Sequence, residues 1–482
     1  VVVNRIDRSA AAGWVVLAAF TVGTASLSPA PEPPPHALRE RLAGHADAVD
    51  RASRGHRLWA AASARGTPVP GDVLPPVAAT APLPRPAVLQ TRLSALATAS
   101  GLGAGVTYEV RDALTGRLLA GRDGATPRSA ASTTKILTGA AVLAGLGAGT
   151  TLATRVLAGS APEEIVLQGG GDVLLGRGSG STAVNGRAGL ADLAERTARR
   201  LRADGRRDVV VRLDDRLFAG PTLPPGAGQD DVAAGFIAPA AAIAVDAGRV
   251  RRGRDAPRSA DPALAAARRF VELLRDRGIG VTGVIARTRA DDGAPVLAEV
   301  RSAPVAELVE YMLTRSDNTV AEALARLVAA HEGRPVTVAD AAVAVVDRVQ
   351  LLGVPVTGVK LVGGSGLGRR NVIPAVTLTR VLAAAAADTH PELRSLLSGL
   401  PVASASGTLS DRFRNPSARS GAGVVRAKTG TLSGVTTLAG TVVDADGRLL
   451  VFALMADRVP TTVGGKRAAD AFAAALAGCG CR

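Results

Sequence analysis

The sequence predicts an α+β protein: an antiparallel five-stranded sheet with flanking helices, interrupted by a large inserted region. Three observations carry this expectation. Strand-like runs lie at both ends of the folding region, Val106–Val110 and Arg117–Ala120 early, then Val424–Lys428, Thr436–Val443 and Leu449–Met455 late. The stretch between them first mixes short strands with amphipathic helices and then turns almost wholly helical. Finally, 47% of the 482 residues are hydrophobic but only 2% aromatic, so a core must be built from Ala, Val and Leu. At this length it needs no disulfide or metal staple.

Taken in order, residues 1–28 read as a signal peptide or membrane anchor. Arg5 and Arg8 precede an uncharged apolar run from Ala10 to Leu27, and Gly23-Thr24-Ala25 offers a small-x-small cleavage site. The run is also just long enough to stay as an anchor. Residues 29–88 hold twelve of the 29 prolines and read as a Pro/Ala-rich linker. Residues 89–155 supply the first two strands, with a turn at Asp112–Gly116, and a helix over Ser132–Leu146. Residues 156–301 form the inserted region, with strands near Ile165–Leu167, Val209–Leu213 and Ile279–Ala286 and helices over Ala191–Ala203 and Pro262–Arg277. Residues 302–482 return with helices Val305–Leu313, Thr319–Ala330 and Val336–Leu352. They then give the last three strands, with a hairpin turn at Asp444–Gly447, and a closing helix over Arg467–Leu476.

The formal charge is +15, with four lysines among the 57 basic residues. Nucleic-acid binding is not expected, because base stacking needs aromatic side chains that the chain lacks. An anionic cell-wall or membrane environment suits the charge. The two cysteines, Cys479 and Cys481, exclude a disulfide scaffold and read as a frayed tail. Of five histidines, His36, His45 and His56 lie in the linker, and only His331 and His390 lie in the body, with no metal-ligand spacing. Neither a metal nor a cofactor is expected.

Three short strings carry chemistry. Ser132-Thr133-Thr134-Lys135 is S-x-x-K, Ser316-Asp317-Asn318 is S-D-N, and Lys428-Thr429-Gly430 is K-T-G. In a chain with four lysines and five asparagines, all three in this order are a rare accident. Residues i and i+3 share a helix face, so Lys135 sits one turn on from Ser132, beside its hydroxyl. A lysine neutralised by burial and by a second cation can take the serine proton, and Lys428 is the natural second cation. The Ser132 N–H at a helix N-terminus is an oxyanion donor. Ser316 can relay a proton to a leaving amine, and Asn318 can orient a substrate amide. Lys428-Thr429-Gly430-Thr431 ends a strand whose edge can pair with an extended peptide. Gly430 admits the peptide backbone, while Lys428 and the threonine hydroxyls can hold a carboxylate.

The trio is the signature set of class A β-lactamases and penicillin-binding proteins. With Gly170-Gly171-Asp172, Asp214-Asp215-Arg216-Leu217-Phe218, Ala238-Pro239, Ser365-Gly366-Leu367 and Ser406-Gly407-Thr408-Leu409, the chain resembles the DacB-type D-alanyl-D-alanine carboxypeptidase/endopeptidases. These are class C low-molecular-mass penicillin-binding proteins. The long gap from Ser132 to Ser316 fits their inserted domains. Gly363, Gly368 and Val173 depart from the family's usual Asp, Ser and Pro. The resemblance implies a serine β-lactamase/DD-peptidase transpeptidase-like fold and an exported enzyme, associated with the cell wall or membrane. Its substrates would be peptidoglycan stem peptides ending in D-Ala-D-Ala, or D-Ala cross-links, with β-lactam antibiotics as acylating inhibitors. It makes Ser132 the acylated nucleophile and Lys135 its base, with Ser316, Asn318 and Lys428 completing the site. Thr429 and Thr431 would bind the terminal carboxylate, and the Thr431 N–H would be the second oxyanion donor. An acidic residue of the inserted region, Asp230 or Asp231, is expected to hold a diamino-acid amine. The alternatives are a β-lactamase or esterase on the same fold, against which stands the lack of an E-x-x-x-N string after S-D-N, or a wall-binding pseudoenzyme.

Overall fold

The computed structural model describes residues 80–480. The expected signal or anchor at 1–28, and the expected linker as far as residue 79, lie outside the described residues. Helix α1 (Pro86–Ala97) starts inside the expected linker, with Pro86 at its first position, where the missing N–H has no helical partner to lose. Then follow β1 (Gly105–Asp112), β2 (Leu118–Arg122), the two-residue β3 (Arg128–Ser129) and α2 (Thr134–Leu146). The next stretch holds β4 (Ala153–Ala158), β5 (Glu164–Gln168), β6 (Asp172–Leu175), α3 (Leu190–Ala203) and β7 (Asp208–Asp214). It continues with a short α4 (Gln229–Ala233), β8 (Ile243–Val245), α5 (Pro262–Arg275), β9 (Gly280–Arg287) and β10 (Val296–Arg301). Helices α6 (Val305–Arg315), α7 (Asn318–His331) and α8 (Val338–Leu351) come next, then β11 (Val372–Ile373), α9 (Ala375–Ala386) and α10 (Arg394–Ser398). The chain closes with β12 (Arg426–Leu432), β13 (Val435–Val443), β14 (Leu449–Asp457) and α11 (Thr462–Ala477).

The expected five-stranded antiparallel sheet forms in the order β12-β13-β14-β1-β2, so late strands pair with early ones across the whole sequence. Its period-two pattern decides both faces. From β14, Leu450, Phe452, Leu454 and Ala456 pack with Leu89, Leu93 and Tyr108 beneath α1 and α11, where the Tyr108 and Phe472 rings meet edge-on at 5.1 Å. Val451, Ala453 and Met455 face the opposite way, onto α2, α6, α7 and α9. Helix α7 is buried from Thr319 through Ala329. Such all-round burial is why its sequence is apolar on every side except for Glu322 and Arg326.

A second sheet, β10-β4-β5-β7-β9, is mixed: β5, β7 and β9 run parallel, and β4 pairs antiparallel with both β5 and β10. Helices α3 and α5 cover one face with Leu193, Ala194, Ala266 and Phe270. Ala153 pairs with Arg301, so the chain enters and leaves this sheet on neighbouring strands. The boundary expected at residue 156 falls within β4. Helices α1 and α9 were not foreseen. α11 starts five residues earlier than expected, because the Thr461 side chain caps it on Gly464 N–H. Cys479, expected in a frayed tail, is buried beside α11. Among the described residues, no helix is long and apolar enough to cross a membrane, and no cluster of His, Cys, Asp or Glu could hold a metal ion.

Candidate active site

Ser132 stands on a single 3₁₀ turn (Ala131–Thr133) that runs into α2, with Ala131 held at φ 46°. Two glycines allow this turn to sit where it does. A side chain on Gly366, at φ +76°, would collide with the Ala131 carbonyl oxygen, and one on Gly430 would lie 2.8 Å from the Ala130 oxygen. The glycine of K-T-G and that of Ser365-Gly366-Leu367 therefore shape the nucleophile's seat, beyond any approach of substrate.

Lys135 is fully buried, and its Nζ donates to Ser132 Oγ at 3.0 Å, Asn318 Oδ1 at 2.6 Å and the Ser365 carbonyl at 2.6 Å. Burial pushes its pKa down to about 7, while the negative charges of Glu322 and Asp317 hold it from falling further. At that value the amine exchanges readily between two forms. The ammonium donates to all three oxygens, and the neutral amine keeps two donor bonds and accepts from the Ser132 hydroxyl.

The S-D-N string spans the junction of two helices. Ser316 ends α6 in the left-handed conformation, at φ 56°. Asp317 caps α7 by accepting from the Thr319 and Val320 N–H groups, and Asn318 Nδ2 donates to the Phe236 carbonyl. Asp317 is buried between Arg249 Nη2 at 2.7 Å and Arg258 Nη2 at 3.2 Å. Burial alone would raise its pKa, but the charges of Arg258 and Arg249 and the cap hydrogen bonds hold it below the usual carboxylate value. The loop 249–258 is thereby tied to the middle residue of S-D-N.

Lys428 is also fully buried, donating to Ser316 Oγ at 2.9 Å and to the Thr429 carbonyl at 2.8 Å. Burial, then the charge of Lys135, then that of Arg254, pushes its pKa well below that of a free lysine. Burial is the main cause of the low pKa at Lys135, and Lys428, expected to act there as the second cation, is itself depressed by burial and by the charge of Lys135. Thr429 Oγ1 lies 2.8 Å from Thr408 Oγ1, so the two hydroxyls share a hydrogen bond. β12, which carries K-T-G, is an edge strand paired with β13, and its other side is bridged to Val402 at Arg426, just ahead of K-T-G.

These elements meet in a cleft of about 490 Å³ lined by Ser132, Ser316, Asn318, Thr429 and Thr431. Neither Asp230 nor Asp231 lines it, contrary to expectation. They belong to the short α4, where the Asp231 carboxylate accepts from the Gly228 N–H and so serves its own turn. The acids that line it are Asp255, Asp411 and Asp317, the last already paired with Arg249 and Arg258. Sequence reasoning also missed Arg249, Arg258 and Glu322. The only signal for the first two was the density of arginine in 249–258, where five of ten residues are Arg.

The description "D-Ala-D-Ala carboxypeptidase 3 (S13) family" matches residues 89–257 and 252–477. The chain is 39% identical over 417 residues to carboxypeptidase DacB of Mycolicibacterium smegmatis, covering 86% of this chain and 88% of that protein. Its fold resembles penicillin binding protein 4 (dacB) from Haemophilus influenzae, with a TM-score of 0.66 and 22% identity, over 78% of this chain and 98% of that one. A second structure of the Haemophilus protein, complexed with a β-lactam, gives a TM-score of 0.59 at 22% identity over the same shares of the two chains.

Proposed function

The chain belongs to the D-Ala-D-Ala carboxypeptidase 3 (S13) family, and from that premise we propose that it is a serine DD-peptidase acting through an acyl-enzyme on Ser132. The observation that carries this reading is the buried Lys135 amine, at a pKa of about 7, 3.0 Å from the Ser132 hydroxyl in an open cleft. The substrate is a peptidoglycan stem peptide ending in D-Ala-D-Ala, laid along the free edge of β12 as an added strand.

Neutral Lys135 takes the proton from Ser132 Oγ as that oxygen attacks the carbonyl carbon between the two D-alanines. The Ser132 and Thr431 N–H groups receive the developing oxyanion. Asn318 orients the substrate amide. The proton taken up by Lys135 is delivered to the leaving nitrogen through the Ser316 hydroxyl, which Lys428 Nζ holds at 2.9 Å, and free D-alanine departs. Water then attacks the ester carbonyl, gives one proton to the Lys135 amine, and releases the shortened peptide and the Ser132 hydroxyl. When the leaving amine belongs to a neighbouring stem, the same steps open a cross-link. Thr429, Gly430 and Thr431 receive the C-terminal residue.

Such a substrate places the enzyme outside the cytoplasm, at the cell wall, with residues 1–28 as its export signal or anchor. Residues 89–155 and 302–482 form the transpeptidase-like parts, and 156–301 the inserted region. A β-lactam presents the same acyl group with a carboxylate beside it and should acylate the same oxygen. Intact-mass analysis after penicillin treatment tests the proposal. One long-lived adduct is expected on the wild-type protein and none on Ser132→Ala. An adduct persisting on that variant would refute the assignment, and rapid loss of the wild-type adduct would mark a β-lactamase instead.

A further inference from the structure

A peptide ending in D-Ala-D-Ala carries a terminal carboxylate, and something charged must meet it. Lys428 is poorly placed for this. Its side chain is fully buried, its Nζ is engaged by Ser316 Oγ and the Thr429 carbonyl, and it does not reach the cleft surface. Thr429 and Thr431 do reach it, but hydroxyls bring no charge. Of the cations lining the cleft, Arg249 and Arg258 are committed to Asp317, and Arg412 to Asp470 at 2.5 Å. Arg254, Arg315 and Lys466 remain, with no carboxylate paired to them among the described residues.

Arg254 is set apart from the other two by its mounting. Its loop is fastened on both sides: Arg249 and Arg258 grip Asp317 from either end, Arg249 Nε also donates to the Arg254 carbonyl, and Arg258 Nε donates to the Gly235 carbonyl. The loop thus stands at a fixed offset from S-D-N, and Arg254 lines the same cleft as Ser132, Thr429 and Thr431. Its charge is felt at Lys428, where that of neither Arg315 nor Lys466 ranks among the causes of the depressed pKa. A guanidinium keeps its charge across the whole working range and presents a fork that matches a carboxylate.

We propose that Arg254, carried over the cleft by the 249–258 loop, is the substrate-binding cation for the terminal carboxylate of the acyl donor, with Thr429 and Thr431 supplying the neutral hydrogen bonds. This rests on the acyl-enzyme reading above. It gives the inserted region a direct contact with substrate at the reacting end of the peptide.

The test separates charge recognition from chemistry by using two probes, benzylpenicillin and its methyl ester. Acylation of the full chain is followed by quenched-flow intact-mass measurement. For the wild type the acid should react faster than the ester. Arg254→Gln should slow the acid by about tenfold or more, the worth of one charge-assisted hydrogen bond, and leave the ester within about twofold. Arg254→Lys should keep part of the advantage. Because Arg254 is exposed, the thermal midpoint should not move. An equal loss for both probes, or no loss for the acid, overturns the proposal. So does an acid-selective loss in Arg315→Gln or Lys466→Gln with Arg254→Gln unaffected. If the wild type forms no adduct on Ser132 with either probe, the acyl-enzyme reading itself fails.

Discussion

Replacing Lys135 by arginine keeps the charge and removes most of the base, and the structure sets the size of the loss. Burial moves Lys135 from 10.5 to about 7, a drop worth about 5 kcal/mol at 1.36 kcal/mol per unit. Half of the lysine is then neutral at pH 7. If the same cavity lowered an arginine equally, from a starting value of about 12.5 to 13.8, it would sit at about 9 to 10. Its neutral fraction at pH 7 would be about 1% to 0.05%. Acylation of Lys135→Arg should therefore fall about 50- to 1000-fold from protonation alone, before any misfit of the larger group. The assay is the second-order rate of acylation by one reporter penicillin between pH 5 and 10. The neutral form is the active one, so the wild-type rate should rise about tenfold per unit below pH 7 and level off above it. The variant should regain rate only above about pH 9. A loss under about fivefold at pH 7, or a flat wild-type profile through pH 7, would refute the lysine-base mechanism.

Two further outcomes follow from the residues around that amine. Glu322 accepts from the Ser365 N–H at 2.9 Å, and its negative charge raises the Lys135 pKa. Glu322→Gln should move the acid limb of the acylation profile to lower pH, whereas a limb that stays or moves up would show that the carboxylate is not felt at Lys135. Asp317→Asn leaves the α7 cap in place but removes the negative partner of Arg249 and Arg258. Breaking such a buried group should cost about 3–5 kcal/mol in denaturant unfolding and slow acylation as the 249–258 loop loses its anchor, and an unchanged midpoint would argue against it.

The parts of the site that were legible in the sequence are those written in adjacent residues. Ser132 and Lys135 are one helical turn apart, and the K-T-G string sits on a strand whose alternation is plain, so both are readable from neighbouring residues alone. The five-stranded sheet was legible for the same reason, since Leu449–Met455 is an unbroken apolar run between turn residues. What stayed hidden depends on distant pairing. Arg249 and Arg258 meet Asp317 from 68 and 59 residues away. Glu322 and Arg326 lie one turn apart on α7, whose burial on every side in that stretch comes from distant elements and is not written in the local sequence. β4 and β10, Ala153–Ala158 and Val296–Arg301, each carry charge within the strand, which weakened the apolar pattern. Asp230 and Asp231 were named on resemblance, and only the structure shows the Asp231 carboxylate accepting from the Gly228 N–H of its own turn.

The clasp of Arg249 and Arg258 on Asp317 also bears on how the molecule can be dissected. A gene trimmed to the two halves that build the catalytic sheet would look like a sensible minimal enzyme, because Ser132, Lys135, Ser316, Asn318 and Lys428 all survive the cut. It would leave Asp317, 4% exposed in the intact protein, without either of its counter-charges. Any such miniature would need a neutral helix cap in that position, Ser or Thr, before its activity could be judged. The region spliced between the halves is in this sense a neutralising organ of the catalytic centre, and the two parts of the gene have to be redesigned together or kept together.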